Sequence, residues 1–169
     1  VIQVAASLAP ELEYKDGKSG VKITTLLELS NLIPEKLNIT HAKTNDRKCV
    51  TGLLFDDEAL HLFDRGYSSH KFYDGLTDKD YNFITRQVSN ARVERISRIN
   101  HEDDDIDDYK ILLGKKDKRA KNIYREISFT DEDKGEIRIL TNIFYLPARY
   151  IIELYRLRWN IEVFFKWLK

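Results

Sequence analysis

YRLRWNIEVFFKWLK, residues 155–169, reads as one amphipathic helix. At about 100° per residue, Arg158 falls about −60° from Tyr155, Glu162 about −20° and Lys169 about −40°. A Tyr, an Arg, a Glu and a Lys therefore share one narrow strip. Beside it runs an apolar strip, Leu154, Leu157, Ile161, Phe164, Phe165 and Leu168, of the kind that packs a helix onto a core. Glu162 lies between Arg158 and Lys166 at helical spacing, so a solvated face with ordinary ion pairs would also explain the polar strip. Trp159, Val163 and Trp167 form a third strip that suits either a partner surface or a patch left exposed by missing sequence.

Upstream, Pro147 marks where this helical region begins. Residues 90–142 are charge-dense. They open with Arg92, Arg95 and Arg98, pass through the acidic run EDDDIDD at 102–108, and reach the basic cluster KKDKRAK at 115–121. Asp103, Asp105 and Asp107 have the early spacing of a calcium loop. However, Asp108 stands where such a loop needs Gly, and Gly114 where it needs its closing Glu, so the acidic run is expected to be a solvated or disordered turn. Tyr124 to Phe129 and Glu136 to Leu140 alternate as strands, and Asp133-Lys134-Gly135 joins them as a hairpin.

The first ninety residues carry strand patterns before helical ones. Val1 to Leu8, Val21 to Leu29 and Lys36 to Thr40 predict a three-strand antiparallel meander, with a turn at Asp16-Gly17. Asp46 is placed to cap a short helix running to about Phe55. Ala59 to Phe63 (ALHLF) reads as a buried strand, a helix starts after Ser68 or Ser69, and Tyr81 to Val88 is the next strand. Strand, helix, strand at this length predicts a parallel βαβ unit, whose functional groups collect at the carboxyl ends of its strands. Asp64 stands at such an end. A turn-forming Asp ahead of Gly66 is the structural alternative.

The totals narrow the class. Acidic and basic residues balance at 28 each, which excludes a simple basic coat for nucleic acid while leaving local patches open. The single cysteine, Cys49, excludes an internal disulfide framework and a cysteine-based zinc site, and it suits a reducing, cytoplasmic setting. No apolar run is long enough to span a membrane and no signal peptide is visible. The chain begins at Val1 and contains no Met, so it is expected to be a piece of a longer protein.

The spacing of Tyr155, Arg158, Glu162 and Lys169 resembles the Tyr-Arg-Glu-Lys signature of bacterial insertion-sequence transposases of the DDE class. Four fixed residues at fixed spacing arise by chance at roughly one position in 10⁵ for average residue usage. The flanking text LTNIFYLPARYIIELYRLRWNIEVFFKWLK is similar to that family throughout, and FDRGY at 63–67 resembles the segment around its second catalytic Asp.

The resemblance implies a ribonuclease H-like fold of mixed α/β (α+β) class, a mixed sheet flanked by helices. It divides the chain into a first part of the catalytic core at 1–90, a β-rich insertion at 91–142, and a last core helix at 143–169. It implies Asp64 and Glu162 as catalytic carboxylates holding Mg²⁺ or Mn²⁺, two ions per complete site, for phosphoryl transfer on DNA. Tyr155, Arg158 and Lys169 match the remaining signature positions, and the two cations suit DNA phosphates. The implied partners are transposon-end and target DNA and a second copy in the DNA complex. The family's first Asp is expected upstream of Val1, and neither Asp16 nor Asp46 stands in for it. The piece alone is then expected to be inactive. A ribonuclease H-like nuclease and a silent DNA-holding or dimerisation domain are the competing expectations.

Overall fold

The computed structural model describes residues 2–4, 13–15, 18–50, 53, 59–67, 69–99 and 104–167. The chain falls into two compact units, residues 1–55 with 160–169 and residues 56–159.

The first unit is a small antiparallel sheet: β1 (Ile2–Val4), β2 (Glu13–Lys15), β3 (Lys18–Glu28) and β4 (Ile33–His41). Ser19 pairs with both Val4 and Glu13, and Val21 with both Ile2 and His41, so β1 takes one edge of β3 while β2 and β4 share the other. The expected meander is present with one short strand added. Its expected turn at Asp16-Gly17, and residues 5–8 of its first strand, lie outside the described residues.

Helix α1 (Asp46–Val50) is shorter than the expected run to Phe55; residues 51–52 and 54–55 are outside the description. Asn45 closes its first turn by accepting from the amides of Lys48 and Cys49, and Asp46 pairs with Lys22 Nζ at 2.7 Å. Cys49 is fully buried, its carbonyl held by Asn38 Nδ2 at 2.8 Å.

The second unit is a six-stranded sheet in the order β5-β6-β10-β9-β8-β7, built from β5 (Leu60–Phe63), β6 (Asn82–Arg86), β7 (Val93–Arg98), β8 (Ile106–Leu113), β9 (Ile123–Asp131) and β10 (Gly135–Thr141). Strands β5 and β6 are parallel and joined through α2 (His70–Thr77), the expected βαβ unit, with Ser69 at the helix N-cap; Ser68 is outside the description. Every other pair in this sheet is antiparallel. The β9–β10 turn closes as the sequence predicts. Gly135 takes φ +67°, a conformation easy only for glycine, and Asp131 Oδ1 accepts from the amides of Asp133 and Lys134. The strands of residues 91–142 thus extend the same sheet as the βαβ unit. The mixed sheet with flanking helices is in keeping with a ribonuclease H-like fold.

Alternation along the strands sorts side chains between two faces. On one face, Ile84, Ile106, Ile127, Ile137 and Ile139 pack with Ala148, Ile151, Ile152 and Tyr155 of α3 (Ala148–Arg156). Each buried isoleucine there stabilises by about 1.5–3 kcal/mol relative to exposure. On the other face, Tyr73 of α2 stacks on Phe83 at 5.2 Å between centroids and meets Tyr124 edge-on at 6.3 Å.

The acidic run does not end as a solvated turn. Its last residues enter β8, where Asp108 is fully buried and receives both Nε (2.9 Å) and Nη2 (2.7 Å) of Arg125. A charge count alone hides such a partner seventeen residues away. Nor is the last helix single. The chain forms α3, a tight turn at Leu157-Arg158, and α4 (Trp159–Trp167). At the break, the amides of Leu157 and Arg158 bond three residues back, to Leu154 and Tyr155. Three residues per turn advance about 120° each, so wheel angles drawn across the break do not hold. The apolar strip expected to face a core is sunk only in part: Leu154 packs against the α3 core, and Ile161, Phe164 and Phe165 are half-buried. Leu157 is 42% exposed, and α4 buries none of its residues.

Candidate active site

Asp64 is positioned by strand alternation and then by a turn. Leu60 and Leu62 pack against the core beneath α3, so Asp64, two residues on, follows on that same face at the carboxyl end of β5. The chain then folds into a 3₁₀ turn, Arg65–Tyr67, closed by the Tyr67 amide donating to the Asp64 carbonyl at 3.2 Å. Asp64 Oδ1 accepts from the Arg65 amide at 2.7 Å, which fixes the carboxylate while leaving its side chain about half exposed. The turn-forming role and an open carboxylate therefore coexist at this residue.

Arg158 approaches from the α3–α4 turn. Its Nη1 lies 3.9 Å from Asp64 Oδ2, and its guanidinium stands over the Tyr155 ring at 5.7 Å. Tyr155 itself is buried in the α3 core. Arg125 secures the approach to α3, because its Nη1 donates to the carbonyls of Leu146 (2.6 Å) and Ile143 (3.2 Å) just ahead of the helix. Three residues singled out in the sequence, Asp64, Tyr155 and Arg158, thus stand together in the second unit. Glu162 lies on α4 among the residues of the first unit, and Lys169 is outside the described residues.

Beside Arg158 opens a cleft of about 350 Å³, also lined by Arg86, Lys134, Arg156 and Trp159, with Asp131 as its acidic member. Lys134 stands 4.6 Å from the Trp159 ring centroid. This basic wall was not foreseen from the sequence. Its signal was present in Arg86, which ends the strand next to β5, on the face that alternation assigns to α3. The wall concentrates positive charge beside Asp64 within a chain of zero net charge. Arginines there suit a bidentate anion such as phosphate.

The half-exposed Asp64 carboxylate is a hard oxygen donor of the type Mg²⁺ or Mn²⁺ takes. Among the described residues no three His, Cys, Asp or Glu side chains converge as a metal-binding group, so those residues alone do not build a two-metal centre.

A transposase DDE domain model matches residues 8–169. A Sinorhizobium fredii protein named as a transposase, y4zB, is 31% identical over 157 residues, covering 89% of this chain and 44% of that protein. A Geobacillus stearothermophilus protein named as a transposase for insertion sequence element IS5377 is 25% identical over 172 residues, covering 99% of this chain and 45% of that protein. The chain thus spans under half the length of these two relatives. With a match over nearly all of its length, the chain belongs to the transposase DDE domain family.

Proposed function

We propose that this chain is catalytic-core sequence of a transposase that cuts and joins DNA at insertion-sequence ends by phosphoryl transfer. The observation that carries the reading is the open Asp64 carboxylate at the end of β5 with Arg158 beside it. We assign Asp64 and Glu162 as two of the site's carboxylates and as ligands of Mg²⁺ or Mn²⁺. When bound, such ions activate the attacking oxygen and stabilise the leaving one.

The chain's own residues hold the DNA. Arg158 and the basic wall of Arg86, Lys134 and Arg156 take backbone phosphates, and Lys169 is assigned a DNA-phosphate contact as well. Arg158 is steadied from below by the Tyr155 ring. Residues 1–90 and 143–169 are assigned to the catalytic core and residues 91–142 to a β-rich insertion whose strands continue the same sheet. The protein acts as a homodimer on DNA, close to the nucleoid.

The test is end cleavage by the longer parent transposase in Mg²⁺ or Mn²⁺, compared with its Asp64→Asn and Glu162→Gln forms. Loss of strand cleavage in both, with DNA binding kept, supports the assignment. Unchanged cleavage in either removes that residue from the site.

A further inference from the structure

On the face of the sheet opposite Asp64, a second cleft of about 510 Å³ opens between α2 and the β8 end. That volume suits a small ligand. Arg86 and Gln87 are consecutive at the end of β6 and line different clefts, Arg86 the basic one beside Arg158 and Gln87 this one. Gln87 is only 6% exposed, and neither Oε1 nor Nε2 has a hydrogen-bond partner among the described residues. An unpaired buried amide is destabilising, and native folds carry few of them. Nothing in the site described above makes use of it.

The rest of the cleft completes a pattern. Tyr73 and Leu140 supply apolar wall. The rim is cationic through Arg92, Lys115 and Lys118, with Asp117 as its acidic member. The rim's shape depends on Gly114, at φ +98°, where a Cβ would press on the Lys118 carbonyl and come within 2.6 Å of His70 Cε1. His70 Nδ1 in turn lies 2.9 Å from the Lys118 carbonyl oxygen, which ties the rim to the start of α2.

We propose that this cleft binds an adenine nucleotide, its base paired with the Gln87 amide and its phosphate held by Lys115, Lys118 and Arg92. A Gln amide offers one donor and one acceptor, the complement of the adenine N6/N7 edge. Both amide atoms are buried, so pairing requires the Gln87 side chain to turn toward the cleft, a motion its soft terminal torsion assists. The same chemistry comes from two sources, a free nucleotide or an unpaired adenosine in a DNA strand.

The experiment is calorimetric titration of this chain with dAMP, dCMP, inorganic phosphate and single-stranded oligo(dA), repeated on Gln87→Leu and on Lys115→Ala/Lys118→Ala. Expected are dAMP binding tighter than phosphate, an affinity loss of about tenfold in Gln87→Leu, and unchanged phosphate binding in that variant. Leu removes two unpaired buried polar atoms, so Gln87→Leu is expected to keep the parent's urea midpoint, which separates the loss from unfolding. The double Lys variant weakens all ligands. Oligo(dA) that displaces dAMP identifies DNA as the source, and oligo(dA) that fails to displace it identifies the free nucleotide; both support the site. Absence of dAMP binding, or binding indifferent to both base and Gln87, overturns it. Asp64→Asn leaves dAMP binding intact if the cleft is an independent site, which separates failure here from failure of the transposase reading.

Discussion

Arg158 Nη1 lies 3.9 Å from Asp64 Oδ2, joining the turn after β5 to the turn between α3 and α4. The Asp64 side chain is about half exposed, so this pair adds at most about 1 kcal/mol to stability. Asp64→Asn is therefore expected to move the melting temperature of the chain by no more than about 4 °C. If the carboxylate serves a cation, the same variant loses the heat of Mn²⁺ binding in calorimetry on a longer form that binds the ion. A large thermal loss instead would make Asp64 a structural turn residue.

The pair Asp108–Arg125 is of the opposite kind. Asp108 is fully buried, Arg125 is 2% exposed, and the contact is bidentate. Asp108→Ala leaves the guanidinium buried without its counter-charge, which costs about 3–5 kcal/mol. Urea denaturation of the variant measures this directly. Because Arg125 also holds the Ile143 and Leu146 carbonyls, amide exchange at the start of α3 is expected to rise in the same variant.

Acid sensitivity is expected to centre on Asp74. Burial alone would raise its carboxyl above the ordinary value of 3.8. Hydrogen bonds from the Lys121 amide, the Tyr124 hydroxyl and Asn122 outweigh that and hold it lower. A carboxyl depressed in the folded state contributes stability that is present above 3.8 and lost as pH falls through the folded value. The Tyr124 hydroxyl is shifted the other way, up, by burial and by its bond to Asp74. Urea midpoints taken between pH 7 and pH 3 should therefore fall less steeply in Asp74→Asn than in the parent chain. Parallel curves would show that another carboxylate governs the acid limb.

Much of this architecture was legible because its signals are local. ALHLF followed by Asp64, the N-cap Ser69, and the turn at Asp133-Lys134-Gly135 each specify their own few residues. What escaped was set by distant partners. Asp108 looked like one more solvated acid until Arg125 folded across from it. The basic wall needed Arg86, Lys134 and Arg156 to arrive from three elements. The break at Leu157-Arg158 escaped because apolar spacing continues across it while the hydrogen-bond ladder does not. Helix wheels register the first and cannot register the second.

That break gives Tyr155 two separable roles. Its ring is buried against the α3 core, and the Arg158 guanidinium stands over it. Tyr155→Ala removes a packed aromatic side chain and is expected to cost about 3–5 kcal/mol, as large-to-small core changes do. Tyr155→Phe keeps the ring under Arg158 and is expected to change stability by under about 1.5 kcal/mol. If the hydroxyl contacts a DNA strand end, Tyr155→Phe weakens binding to end DNA while its urea midpoint stays near the parent's. If ring and core are the whole role, Tyr155→Phe binds DNA as the parent does and only Tyr155→Ala fails, by unfolding. Paired urea curves and end-DNA titrations on the two variants separate these outcomes.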